Sequence, residues 1–248
     1  MSLWRLEWLR LVRTPRAIAL AAVFLFVGMI EPVLTRYERD LIGRLSHGAH
    51  IAVAAPTAAD GLNSYVTEIS LIGLIVVVAI AAGAFCFDVR HGLATFLRTR
   101  TSSMWQLMIP RFTACAAAAA AAYLLGTLGA WYETSVLIGS LPVPAVLGGI
   151  VCGVVYLTFA VAVTALAASL ARTVVGTIAI ALAILVLIPI AGAFHVIDAW
   201  LPGALVNGPA ELITGTGLAH FAPALGTAVV ASIVAVAVAV IRLRAREI

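Results

Sequence analysis

Six runs of apolar residues, at about 17–34, 69–87, 112–131, 146–170, 174–194 and 221–241, take up most of this chain and are almost free of charge. A stretch of roughly 20 apolar residues is the length an α-helix needs to cross the hydrocarbon of a bilayer. Only helices and closed barrels satisfy every backbone amide in that medium. The expected fold is therefore an all-α integral membrane protein, with an interfacial amphipathic helix over 1–16 and a six-span transmembrane domain over 17–248. Composition agrees: 63% hydrophobic residues, 10% charged residues and a mean hydropathy of +1.13 lie far outside the soluble range and leave no length for a soluble catalytic domain.

Charge gives the expected orientation. The sequence has fifteen Arg and no Lys. Twelve of them fall on one side of the six runs: four before residue 17, four within 88–111, Arg172, and Arg242, Arg244 and Arg246. The other side carries Arg36, Arg39 and Arg44, while the segments after Trp131 and Phe194 carry Glu133, Asp198 and Glu211. Positive residues are retained on the cytoplasmic face, so both termini are expected in the cytoplasm of a multi-pass plasma-membrane protein. Arg in such small groups meets lipid headgroups and gives no footprint for nucleic acid. The run at 17–34 is long enough to span and is expected to stay attached, without a cleavable signal.

Trp4, Trp8, Leu11 and Val12 share one helical face, with Arg5, Arg10 and Arg13 elsewhere around the helix. That pattern suits a membrane-interface anchor, with Trp at headgroup depth and Arg toward anionic lipid. No charge lies at mid-depth of the runs, as an ion-driven carrier would need. Glu31 and Glu68, near the outer ends of the first two runs, are candidates for an outer gate, facing each other or Arg36 and Arg39. Gly126, Gly129, Gly148, Gly149 and Gly153, with the Ala116 to Ala122 run, permit close helix approach. Pro32 and Pro189 are expected to kink or end their helices.

No metal site or catalytic residue is expected. His47 and His50 have i, i+3 spacing with Asp60 downstream, but no third ligand is fixed. His195 with Asp198, and His220, read as structural groups at the membrane boundary. Cys86, Cys115 and Cys152 lack CxxC spacing. Ser169 and Ser232 lie in apolar runs without the Gly-rich turn of an intramembrane serine protease.

The 88–111 segment is patterned. Asp88, Arg90, His91 and Gly92 lead into Leu93, Phe96 and Leu97 at i, i+3 and i+4, a short amphipathic helix. Ser103 then stands three residues before Gln106, a capping-box spacing that starts the next helix. With its interfacial N-terminal segment, six spans and Pro202, Gly203 and Pro209 in an outer segment at 199–218, the chain resembles a permease of the type-2 ABC transporter family. The resemblance implies an exporter subunit whose coupling helix, holding Asp88, Arg90, His91, Gly92, Leu93, Phe96, Leu97 and Ser103, docks on a separate ATPase. It implies two ATPase copies holding ATP and Mg, and a second permease chain, the same or homologous, in the bilayer. The absence of Lys agrees, since a phosphate-binding GxxxxGK[ST] loop cannot be built from this chain. An intramembrane enzyme and a non-transporting scaffold or immunity-type subunit stay open as alternatives.

Overall fold

The computed structural model describes residues 4, 7–9, 15–45, 55–86, 104–171, 173–192 and 198–245. Every regular element among them is helical. The long elements are α1 (Pro15–Leu45), α2 (Ala58–Glu68) running through a π-helical stretch (Ile69–Gly73) into α3 (Leu74–Phe85), α4 (Met104–Leu137), α5 (Val143–Leu170) and α6 (Val174–Gly192). A short helix, α7 (Ala204–Ile213), then precedes α8 (Ala222–Ala245). Five helical stretches are long and apolar enough to cross a membrane, namely 15–38, 58–85, 104–137, 143–170 and 218–245. The apolar helix at Val174–Ile190 is shorter.

Backbone chemistry explains the element ends. Asp60 N–H donates to Thr57 Oγ1 at 3.3 Å, and Thr57 N–H donates to Asp60 Oδ2 at 2.8 Å, a reciprocal capping box that opens α2. Pro142 precedes α5 and Pro144 lies in its first turn, where a missing amide costs nothing. α4 is helical from its first described residue, Met104, and the expected cap at Ser103 lies outside the described residues.

In lipid, helices associate by close packing more than by the hydrophobic effect. α1 and α4 make the most extensive contact and run parallel. They cross through glycine: a Cβ on Gly28 would collide with the Gly126 backbone, and one on Gly126 would sit 2.6 Å from Phe24 O and 2.5 Å from Tyr65 Oη. The α2–α3 stretch runs antiparallel to α1, with Thr35 beside Ser64, Phe24 against Gly73, and the Arg16 guanidinium 3.6 Å from where a Gly83 Cβ would be. α5 is the most buried crossing and lies among α4, α3, α6, α7 and α8. α7 tucks against its first turns, with Pro209 on Gly149 and Gly208 on Cys152, and Leu205 fully buried. This end of the bundle lies opposite the one at which Arg16, Arg111 and Arg244 gather, hereafter the arginine end.

The apolar runs understate the helices they belong to. The first run ends at 34 but α1 continues to Leu45, the second begins at 69 but its helix starts at 58, and the third begins at 112 but α4 starts at 104. Length beyond the hydrocarbon can be polar and still helical. Pro32 and Pro189 do not end their helices; α1 runs thirteen residues past the first and α6 three past the second.

Candidate functional site

Two charged clusters stand at opposite ends of the bundle, joined by an aromatic and polar interior. At the end away from the arginines, antiparallel α1 and α2 place i, i+4 pairs against each other: Glu31 and Thr35 on one helix, Ser64 and Glu68 on the other. The Thr35 hydroxyl lies 3.0 Å from both Ser64 Oγ and Glu31 O. Ser64 Oγ is also 3.0 Å from Asp60 O. One turn along, Glu31 and Glu68 are electrostatic neighbours whose like charges repel. Glu31 and Glu68 thus stand one turn from the Thr35–Ser64 contact on neighbouring helices, with both side chains half-buried. Arg36 is exposed, and the Arg39 side chain lies outside what the structure describes.

Glu68 immediately precedes the π-helical stretch, where the Leu74 amide reaches back five residues to Ile69 O. Such a wide turn inserts one extra residue and recurs at functional sites. Beside it the fully buried Tyr65 directs its hydroxyl toward Tyr123 O at 3.5 Å and accepts from Thr127 at 3.4 Å. Tyr123 packs on Phe24 edge-on, with ring centroids 6.4 Å apart, and its ring occupies the space that a Gly153 Cβ would need. A cavity of about 20 Å³, bounded by Ile69, Ser70, Tyr123, Gly153, Tyr156 and Leu205, lies at this junction. It has room for about one water.

At the arginine end, Arg111 is 2% exposed and its Nε donates to Glu7 Oε1 at 2.9 Å. Sequence reading placed Arg111 outside the third span among the flanking cations. It stands instead seven residues inside α4, roughly 10 Å along the axis. A buried cation needs a paired anion, because desolvation costs several kcal/mol per ion. Glu7 is the only acid before residue 31 and supplies it. The two residues are 104 positions apart, so no local spacing reveals the pair. Its effect is to hold the N-terminal segment against the base of α4.

Trp4 and Trp8 are helical and 47% and 42% exposed. Arg5, Arg10 and Arg13 lie outside the described residues, as do Asp88, Arg90, His91, Gly92, Leu93, Phe96, Leu97 and Ser103. His47, His50 and His195 fall there too, while Asp60 is engaged in its capping box. Among the described residues no three His, Cys, Asp or Glu side chains gather as a metal site.

Five membrane-length apolar helices, packed through glycine and free of strands among the described residues, define a multi-pass, all-helical membrane protein. Beyond that class, comparison with protein-family models, curated proteins and solved structures finds no match.

Proposed function

We propose that this chain is the permease subunit of an ATP-binding cassette exporter in the plasma membrane. α6 supplies the sixth crossing, so both termini are cytoplasmic and the arginine end faces the cytoplasm, as the Arg distribution requires. The chain pairs with a second permease, the same or homologous, and two copies of a separate ATPase hold ATP and Mg. The 88–111 segment is the coupling element, with Asp88, Arg90, His91, Gly92, Leu93, Phe96, Leu97 and Ser103 against the ATPase.

The observation that carries this reading is the buried Glu7–Arg111 pair. It ties the N-terminal segment to the base of α4, the helix whose first eight residues, 104–111, close the proposed coupling segment. A push delivered there by closing ATPases would move α4 and the N-terminal segment as one body, and α4 would pass the motion to α1 through the Gly28–Gly126 crossing. The outer carboxylates Glu31 and Glu68 sit at the far end of that lever as the outer gate.

The test is purification of the chain from its own membrane, with measurement of bound P-loop ATPase and of ATP hydrolysis. The expected result is an ATPase at one copy per permease chain that is lost on Phe96→Asp with Leu97→Asp. Isolation of the chain without an ATPase, or ATPase binding indifferent to both substitutions, would overturn the proposal.

A further inference from the structure

The cavity of about 20 Å³ beside the wide turn is walled mostly by apolar side chains, yet Ser70, Tyr123 and Tyr156 border it from three helices. A single water needs about 10–15 Å³ of such space and two to four polar partners. The first partner is a backbone carbonyl. In a regular helix the Leu74 amide would donate to Ser70 O, four residues back. Here it turns to Ile69 O and Leu71 O instead, so the wide turn strips Ser70 O of its helical donor. The Ser70 side chain brings no replacement, because its Oγ donates to Val66 O at 2.6 Å. A carbonyl opened in this way within a membrane is commonly closed again by a neighbouring polar group or an ordered water.

The other two partners are phenols. Tyr156 of α5 is 7% exposed, and its hydroxyl has no hydrogen-bond partner among the described residues. Tyr123 of α4 is 4% exposed, and its Oη occupies the space that a Gly153 Cβ would take. Gly153 and Tyr156 are three residues apart on one face of α5, so both hydroxyls stand on the same side of that helix. Thr127 lies beside the Tyr123 hydroxyl and gives its own hydrogen to Tyr65 Oη at 3.4 Å. Tyr123 can therefore donate to Thr127 and keep a lone pair for another donor.

We propose that this cavity is a binding site for one water inside the bundle, built around the carbonyl that the wide turn opens. The water donates to Ser70 O and to Tyr123 Oη and accepts from the Tyr156 hydroxyl, which makes three bonds, the usual number for a buried water. The α2–α3 stretch, α4 and α5 thereby meet on one exchangeable molecule. The same molecule lets the π-helical turn exist at membrane depth, since it pairs the one carbonyl that the turn leaves over. The inference rests on the packed helices alone and not on the ATP-driven reading.

The test is hydroxyl-radical footprinting of the full chain in nanodiscs. A short X-ray pulse splits water, bound water included, and the oxidation of each residue is mapped by mass spectrometry. Tyr123 and Tyr156 are expected to oxidise several-fold faster than Phe85 and Phe221, which are 3% and 2% exposed and do not border the cavity. Val206 borders it with a half-buried side chain, and Val206→Ile adds one methylene to fill the space of the water. That variant should bring both tyrosines down to the rate of Phe85. Deleting Leu71, whose side chain is 64% exposed, lets the wide turn close and should slow both tyrosines as well. Tyrosine rates in the unaltered chain no higher than those of the two Phe residues would show a dry cavity and overturn the site. Fast oxidation that survives Val206→Ile would overturn it too, and rates indifferent to the Leu71 deletion would remove Ser70 O from it.

Discussion

The two ends of the bundle handle charge in opposite ways. At the arginine end, Arg111 and Glu7 are opposite charges 2.9 Å apart, the first buried and the second 12% exposed. At the other, Glu31 and Glu68 are like charges, half-buried, each one turn from the Thr35–Ser64 contact. The first arrangement is stable only when complete, because removing one partner strands a buried ion. The second is poised, because the helices carry a repulsion that separation would relieve. One end resists change and the other favours it, which is how a lever with a fixed base and a movable mouth would be built.

The sharpest way to break this contrast is at the base. Arg111→Met should strand Glu7 and cost about 3–5 kcal/mol, the usual penalty for breaking a buried pair. Denaturant unfolding of the purified protein in detergent would read it as a lower midpoint. Adding Glu7→Gln to Arg111→Met should restore most of that loss, giving a coupling of about 1–3 kcal/mol in the double-mutant cycle. If the two substitutions simply added, the pair would not be a unit and the contrast would fail.

At the opposite end the effects should be smaller. Thr35→Val removes one interhelical hydrogen bond and should cost about 0.6 kcal/mol, the average for such bonds within membranes. Glu68→Gln should stabilise by a few tenths of a kcal/mol, less than about 1, because the group is half-exposed and screened. The same unfolding assay distinguishes the signs. Destabilisation by Glu68→Gln would show that the carboxylate is held by an attraction and would dissolve the idea of a poised mouth.

The apolar runs made the membrane class legible, because bilayer thickness acts on composition directly. They did not give helix length, since hydropathy records where hydrocarbon is and says nothing of where hydrogen bonding stops. The eleven residues of α1 after Leu34, the first eleven of the α2 stretch and the first eight of α4 are helical outside the apolar runs. That Glu31 and Glu68 stand on neighbouring helices at one end of the bundle was readable because both sit near the same ends of consecutive runs, which a short topology brings side by side. The Glu7–Arg111 pair was not, since nothing in sequence spacing joins residues so far apart. Nor did any residue mark the π-helical stretch; Ile69–Gly73 reads as ordinary apolar helix until its hydrogen bonds are seen.

That stretch constrains how this chain can change its length. A single-residue deletion within 69–73 would remove the surplus residue and let the helix close into regular α geometry with the faces on either side of it kept. Leu74, Val77, Val78 and Ala81 would stay packed inward and Ile75 would stay exposed. The same deletion in the regular helix of α3 would instead turn everything after it by about 100°. The stretch is therefore expected to gain or lose its surplus residue among descendants of this chain while the inward faces of α2 and α3 persist.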